Sequence, residues 1–506
     1  MEQSLQVLYQ RDRSAALVKR CVEYARWTIA SLFPDSNITD DNSVAQAEKD
    51  YQSYMAMLTN HLSAKFVGAL FPATAPFFKL QLSPALQASM VEDIKKNFPD
   101  YTDDDLESQQ AKLEKDCSQR VLLNGNLSVL ACMMQLLIVT GNALLVRSEV
   151  GRLQTFSLRN YTVLRDGNGQ PIRVIIRERR ALGQIPDLAR RAGLGGNPDD
   201  LVDLYTGVFW SAPDSKGQRT YTVHQELNAV RWVVEEKQPA EVCPYIPLAW
   251  RLMPGTNYGV GHVYQYEGDI AKYSELSRSY TLYQVEAMRV VHLVNPGSGT
   301  DIDQLNGAET GQYVQGNPED IRAHESGDSV KLQQIGLEME RLEAKLAKVF
   351  QWNANTRDAE RVTAAEIQQQ ARALDQDFGG EHSALSNTIH PPLAYLMLQE
   401  LAPDLVIQAI AKNINLDMLT GVTALARSAQ VQAAMEAAQE AAAIIGALAQ
   451  ASARISPEKI IAMCFAARGL SPSDIYKSQE ELQAAQQQAQ PIDPAMLQQL
   501  QGVTEQ

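Results

Sequence analysis

The stretch 330-VKLQQIGLEMERLEAKLAKVF-350 carries the reading of the fold. Leu332, Ile335, Met339, Leu342, Leu346 and Val349 recur at steps of three and four, which puts them on one face of an α-helix. Glu338, Glu340, Arg341, Glu343, Lys345 and Lys348 fall on the other faces. The preceding residues 295–328 are rich in turn formers: Pro296-Gly297-Ser298-Gly299, Asn306-Gly307, Gly311 and Gly316-Asn317-Pro318. Before them, Val263, Tyr266, Ile270, Tyr273, Leu276, Tyr280, Tyr283, Ala287, Val290 and Val294 again recur at helical steps. The spacing predicts a helix over 262–293, about 48 Å long at 1.5 Å per residue. Two long helices thus flank a small projecting module.

Beyond the second helix comes a polar break, 351–361, and then a helix from Thr363, where Glu366 completes the spacing of a capping box. Gly379-Gly380 and Pro391-Pro392 are expected to interrupt or kink the following helix, which reaches about Leu401. From Asp417 to about Ala451 the chain reads as Ala-rich helix, followed by shorter helices at 457–467 and 472–487 and a loose Gln/Ala/Pro tail. On the N-terminal side, residues 1–72 read as helical, with stops at Phe33-Pro34 and Phe71-Pro72 and a second helix over 43–70. Phe77–Leu82 reads as a strand. Asp103-Asp104-Asp105 opens a helix running to about Thr140, the acids capping amides and complementing the dipole.

Between 141 and 253 the character changes. Ala143–Val146, Phe156–Leu158, Tyr161–Arg165, Ile172–Glu178, Leu204–Trp210, Thr220–Val223 and Ala229–Glu235 have the β-branched and aromatic content of strands. Asp166-Gly167-Asn168-Gly169 is a hairpin turn signal. Cys243-Pro244-Tyr245-Ile246-Pro247-Leu248 must be extended, because each proline pushes the residue before it out of the helical region. The fold class is therefore α+β, predominantly α-helical.

Five cysteines, widely spaced and without a CxxC pair, read as reduced and mostly buried thiols. The N-terminal stretch has no basic region leading into an apolar run, so no signal peptide is expected. Apolar runs such as Val129–Ile138 are too short to span a bilayer, and a soluble, intracellular protein is expected. Catalytic signatures are missing. There is no GxxxxGK[ST] loop to surround a nucleotide's phosphates, and no GxSxG elbow. The seven histidines show no metal-ligand spacing. The glycines of 255–261 read as a flexible lead-in to a helix rather than a phosphate site. Asp199, Asp200 and Asp203 read as turn or helix caps rather than a nuclease cluster. Tyr264, Tyr266, Tyr273, Tyr280 and Tyr283 read as helix-packing residues rather than a base-stacking platform. No catalytic residue, cofactor or metal is expected, and no membrane partner.

Several short segments, in order along the chain, resemble one family. They are Ser31-Leu32-Phe33-Pro34, Ala69-Leu70-Phe71-Pro72, Thr140-Gly141-Asn142-Ala143-Leu144-Leu145, Cys243-Pro244-Tyr245-Ile246-Pro247 and Val294-Asn295-Pro296. Thr310-Gly311-Gln312-Tyr313-Val314-Gln315-Gly316-Asn317-Pro318-Glu319-Asp320-Ile321 and Glu360-Arg361-Val362-Thr363-Ala364-Ala365-Glu366-Ile367 complete the set. The sequence resembles the head-to-tail connectors, or portal proteins, of short-tailed double-stranded DNA bacteriophages. The match fades after about Leu401 and near 190–200.

The resemblance implies the portal fold and a dodecameric ring at one capsid vertex, assembled in the host cytoplasm. It implies a wing over 1–261, stem helices over 262–293 and 330–350, and a clip over 294–329. A tunnel loop over 351–361, wing return helices over 362–401 and a crown with a tail over 402–506 follow. DNA would pass along the channel, with the terminase large subunit and later the tail adaptor and tail tube on the clip. Major capsid, scaffolding and internal core proteins would be further partners. Channel-facing candidates are Arg357 and Arg361 first, then Arg341, Lys345 and Lys348, which would otherwise pair with acids on a solvated surface. Clip docking candidates are Asn295, Pro296, Gln312, Tyr313, Asn317 and Glu319. The 45 Lys and Arg against 60 Asp and Glu, a net charge of −15, suit a wall that DNA slides past rather than grips. The alternative is a head-assembly adaptor or scaffolding protein without a channel.

Overall fold

The computed structural model describes residues 3–34, 41–73, 76–81, 103–123, 125–148, 151–215, 217–288, 290–294, 301–310, 312–315, 317, 319, 321–325, 329–352, 369, 373–374, 376–378, 380–403, 406 and 417–420. All lie in a compact unit spanning residues 1–424; a second unit, 425–506, lies outside the described residues. The expected helix from Thr363 is described at residues 369, 373–374 and 376–378, all helical. Asp417–Thr420, expected to open the Ala-rich helix, is instead a strand paired with Phe78–Gln81, a correction that only the distant partner could reveal. The rest of that helix, the two shorter helices and the tail fall outside the described residues.

In chain order, the helices are α1 (Leu5–Asp12), α2 (Ala15–Trp27), α3 (Asp41–Ala45), α4 (Tyr54–Leu70), α5 (Asp103–Leu122), α6 (Asn126–Thr140) and α7 (Pro186–Arg191). They continue with α8 (His262–Gln265), α9 (Glu267–Ala287), α10 (Ile302–Asn306), α11 (Ser329–Val349) and α12 (Glu381–Leu401). The strands are β1 (Phe78–Gln81), β2 (Asn142–Arg147), β3 (Leu153–Phe156), β4 (Tyr161–Arg165), β5 (Pro171–Ala181), β6 (Leu201–Trp210) and β7 (Thr220–Leu227). Then come β8 (Val230–Pro239), β9 (Tyr245–Ala249), β10 (Arg251–Leu252), β11 (Gly259–Val260), β12 (Val290–Val294), β13 (Ile321–Glu325) and β14 (Asp417–Thr420). All pairings are antiparallel. A five-stranded meander, β4-β5-β6-β7-β8, stands beside a three-stranded sheet ordered β3-β2-β9, and three two-stranded ribbons complete the set.

α1 is fastened to the meander at both ends. Leu5, Leu8 and Tyr9 pack on Ile175 of β5 and Tyr205 of β6. The buried Glu226 carboxylate accepts from the Leu5 amide at 2.6 Å and from the Ser4 hydroxyl, placing negative charge at the helix N-terminus. At the other end Arg173 donates to both Asp12 oxygens, at 2.6 and 2.8 Å. The hairpin turn forms as its sequence predicts. Gly169 N donates to Asp166 O at 3.0 Å with Gly169 at φ +81°, and Asp166 Oδ1 accepts from the amides of Asn168 and Gln170.

α6 is buried nearly all round, with Leu130, Met133, Met134, Leu137, Ile138 and Val139 inaccessible. It packs against α2, α4, α8, β2 and β3. Where α6 ends, Gly141 takes φ +76° and donates to Leu137 O at 2.9 Å. A Cβ there would stand 2.6 Å from the Val260 carbonyl carbon and 2.7 Å from Gly259 O. Asn142 ties the crossing: its amide nitrogen donates to Gly259 O at 2.9 Å, and its oxygen accepts from Gly259 N at 2.8 Å. The glycines at 259 and 261 are therefore a close backbone crossing, not a flexible lead-in. This corrects the sequence expectation.

Four helix boundaries also differ from expectation. The helix predicted over 43–70 is α3 and then α4, with non-helical chain between. The single helix expected over 103–140 is two, because Gly125 at φ +74° follows Asn124 in a turn-forming pair. α12 begins after Gly380, at φ +91°, and runs through Pro391 and Pro392. Burial of Leu385, Ile389, Leu393, Ala394 and Met397 on that helix outweighs the lost amide donors. The helix expected over 262–293 is broken at Tyr266 and ends at Ala287. Val290–Val294 instead forms β12, with Val290 opposite Glu325 and Val294 opposite Ile321 of β13. Its β-branched content suits a strand, and three-and-four steps alone could not reveal the partner.

Candidate functional site

α9 and α11 pack as an antiparallel hairpin, shown by the order of their cross-links: Asp269 meets Lys345 and Lys272 meets Glu338. Ile270 and Tyr273 on α9 and Leu342 and Leu346 on α11 are buried, as is Phe350 just beyond. The predicted α11 stripe is therefore real, and deepest at its C-terminal end; Leu332, Ile335, Met339 and Val349 are half-buried. The opposite end of the hairpin keeps apolar side chains in solvent: Leu282 and Val285 on α9, Met288 just beyond it, and Val330 and Leu337 on α11.

The tyrosine stripe divides. Tyr273 packs against Tyr54 of α4, ring centroids 5.9 Å apart, and its hydroxyl donates to Glu343 Oε1 at 2.7 Å. Burial, with the Glu343 carboxylate beside it, pushes the Tyr273 phenol well above its ordinary range. Tyr54 donates to the Glu343 backbone oxygen at 3.0 Å, so α4, α9 and α11 are joined at one point. Tyr266 stacks edge-on against His262, and Tyr264 stays exposed beneath the Arg20 guanidinium.

The predicted cations of α11 differ in what surrounds them. Lys345 lies 2.6 Å from Asp269 across the hairpin. Arg341 lies 3.8 Å from Glu338, which also takes Lys272 at 2.5 Å. Hydrogen bonding from Lys272 holds the Glu338 carboxyl below its usual range. Lys348 is exposed and has no carboxylate partner among the described residues. Such solvent-facing pairs are worth about 0–1 kcal/mol each. Their effect is to neutralise charge along the hairpin, leaving Lys348, near its base, as a cation without a carboxylate partner among the described residues. Arg357 and Arg361 lie outside the described residues.

The module between the hairpin helices is carried on the β12/β13 ribbon. Asp301 Oδ1 accepts from the amides of Asp303 and Gln304, opening the short α10. Gln312 N donates to Glu309 O at 3.0 Å, and its side-chain oxygen accepts from Glu309 N at 2.9 Å. Glu319 N donates to Asn317 Oδ1 at 3.2 Å. Tyr313 is fully exposed. These residues form local turn contacts that present Tyr313 outward; Asn295 and Pro296 lie outside the described residues.

Elsewhere, Asp200 Oδ2 accepts from Asn197 N at 3.0 Å, closing a turn, while Asp203 sits on β6 facing Arg179 at 3.5 Å. Among the described residues no group of three or more His, Cys, Asp or Glu could hold a metal. Cys21, Cys117 and Cys243 are buried, and burial pushes the Cys21 and Cys117 thiols up to about 12, the state of an unreactive thiol. No single helix among the described residues is long and apolar enough to cross a membrane. Sequence reading missed the residues that tie the hairpin to the rest of the unit, Tyr54, Lys65 and Asp377. Their partners lie far off in sequence, so no local pattern marks them.

The geometry combines a cross-linked helical hairpin with a turn module carried on a two-stranded ribbon. The chain belongs to the bacteriophage head to tail connecting protein family, which it matches over residues 4–476. It is 35% identical over 496 residues to the portal protein of Pseudomonas phage phiKMV, covering 97% of this chain and 95% of that one. It is 29% identical over 432 residues to the portal protein of Enterobacteria phage SP6, covering 84% of this chain and 79% of that one. Among solved structures, the neck of an empty gene transfer agent particle aligns with a TM-score of 0.38 and 12% identity, over 82% of this chain and 90% of that one.

Proposed function

We propose that this chain is a portal subunit, twelve copies of which close into a ring at one capsid vertex after assembly in the host cytoplasm. The observation that carries this reading is the alignment with the phiKMV portal protein, which spans nearly the whole of both chains. In the ring, the α9/α11 hairpin forms the stem around the channel, and the 294–329 module is the clip that meets the terminase large subunit during packaging and the tail adaptor and tail tube afterwards. Residues 1–261 and 362–401 form the wing, residues 351–361 the tunnel loop, and 402–506 the crown, with capsid, scaffolding and internal core proteins as neighbours. The exposed Leu282, Val285, Met288, Val330 and Leu337 support this assignment, because a subunit contact would cover them. The neutralised charges along the hairpin support it too, since a wall of paired charges neither grips nor strongly repels phosphate. Negative-stain images of the purified protein test the reading. Closed rings of about twelve subunits are expected; a monomer or dimer at micromolar concentration would sink it.

The cations near the base of the hairpin give a second expected result. Replacing Lys348, Arg357 and Arg361 together with Ala should leave rings intact and lower packaged or retained DNA about threefold to tenfold, because each ring of cations removed takes phosphate contacts with it. Unchanged DNA content in particles carrying the triple variant would remove these residues from the DNA path.

A further inference from the structure

The antiparallel meander has two unlike ends. At one end stand the β4–β5 turn, the close of β6 at Trp210, the start of β7 and the exit of β8. Together with β9, β10 and the first turns of α12 they wall a cavity of about 750 Å³, within the size range of clefts that hold ligands. Its walls carry three guanidiniums, Arg165, Arg219 and Arg251, against two carboxylates, Glu241 and Glu381. Arg251 donates to the buried Glu381. The other two donate to backbone oxygens: Arg165 to Gly169 at 2.9 Å and to Pro247 at 3.1 Å, Arg219 to Pro171 at 2.7 Å. A carbonyl aims a guanidinium but leaves its charge uncancelled. Neither arginine has a carboxylate partner among the described residues. At the opposite end, the β5–β6 connection holds residues 195–201 in solvent without a break. Most charges there are spent: Glu178 on Arg180, Asp187 on Arg190, Asp203 on Arg179, and Arg191 on the Trp232 ring. Asp199 and Asp200 have no cation partner among the described residues, and Leu201 beside them is 61% exposed. β6 runs from that turn to the cavity wall, so within one chain the two stand about 30 Å apart and cannot meet.

We propose that the exposed turn 197–201 of one copy docks in this cavity of a second copy, with Asp199 facing Arg165 and Arg219, and Leu201 facing Ala249, Leu252 and Pro392. Two observations make the occupant a second copy. The charges are complementary: uncancelled carboxylates at one end of the meander, uncancelled guanidiniums at the other. The surfaces also lie at opposite ends of one sheet, which is what a head-to-tail contact needs. Each copy then both gives and receives, and a rotation from copy to copy closes the series. A two-fold contact would set each end against itself and bring like charges together. The Ala249, Leu252 and Pro392 side chains are half-buried, so they still offer apolar surface to an incoming leucine. The inference rests on the ring reading above and deepens it, by naming side chains through which neighbours hold each other.

Two measurements on the full-length protein test it. The first combines Asp199→Cys and Gln170→Cys in one chain; Gln170 is exposed at the cavity rim. Within a chain these positions stand at opposite ends of the meander, so a short bismaleimide can join them only between copies. A denaturing gel should show a ladder rising to about twelve chains, well above wild type and the two single variants, which set the background from native thiols. Intact rings without that ladder would overturn the docking and leave the ring reading standing. A ladder from particles that never close would overturn the ring reading and leave the docking standing. Monomer alone, in gel and in image, would overturn both. The second measurement uses Asp199→Lys and Leu201→Ser, both at exposed positions, so thermal midpoints should hold. Each should raise the concentration at which rings fall apart about threefold to tenfold. A dissociation concentration equal to wild type in both variants would overturn the docking.

Discussion

Gly141→Ala is expected to lower the stability of the folded chain by about 3–5 kcal/mol, read as a fall in thermal midpoint of roughly 3–6 °C and a loss of soluble yield. Two costs combine. The φ of +76° lies in a region that side chains strain to adopt. The added carbon would also press on backbone atoms of Gly259 and Val260, which have no flexible end to move aside. Those atoms are fixed by the two bonds from the Asn142 amide, and the Gly141 carbonyl is itself engaged by Trp250 N at 2.9 Å. Relief would therefore displace the start of β2 and the lead into α8 together. Gly68→Ala on α4 is the control. Nothing lies within 4 Å of a Cβ there, and alanine favours the helix by about 0.5–1 kcal/mol. Equal midpoints for the two variants would refute the crossing as a source of stability.

Acid should weaken the fold steeply. His262 and His390 are buried, and burial pushes their pKa values down to about 4 and about 3. Arg251 adds to the shift at His262, and a hydrogen bond to the Val349 backbone opposes it. His382 adds to it at His390, and the Leu70 backbone opposes it. Around them stand Trp250, Tyr266, Phe350 and Phe378 for His262, and Phe71 and Phe77 for His390, rings that help shut water out of both sites. The unfolded chain takes up these protons near pH 6.5 and the folded chain does not. Stability is therefore complete above that pH and is lost as pH falls toward 4, by roughly 2 kcal/mol per histidine at pH 5. Denaturant melts at pH 7.5, 6 and 5 measure it. His262→Gln and His390→Gln should each flatten the pH dependence, even if they lower stability at pH 7.5. A dependence as steep in the double variant would assign acid sensitivity elsewhere.

What could be read in advance followed a physical division. Periodicity found α11, because its apolar stripe is buried against the rest of the unit, and β-branched and aromatic content found the strands of the meander. The turn at Asp166–Gly169 was legible because its chemistry is local. Three features were not. Val290–Val294 carried helical steps by coincidence, and only pairing with Ile321–Glu325 revealed a strand. Pro391 and Pro392 looked like a break, and only the burial of α12 shows why the helix continues. The glycines at 141, 259 and 261 were visible as letters, but their shared crossing spans more than a hundred residues. The site divided in the same way. Lys345 and Arg341 were found from one helix, whereas Asp269 and Lys272, which neutralise the hairpin, belong to another. The family followed from short ordered segments, not from any of these patterns.

The β12/β13 ribbon has a consequence for how such chains diversify. Because Val294 lies directly opposite Ile321, everything between them leaves and returns through a single narrow doorway. Residues can be gained or lost beyond it without changing the length or register of the helices behind it. The turn module is thus an exchangeable cassette. This tip can be refitted, by recombination or by design, while the α9/α11 hairpin behind it stays as it is.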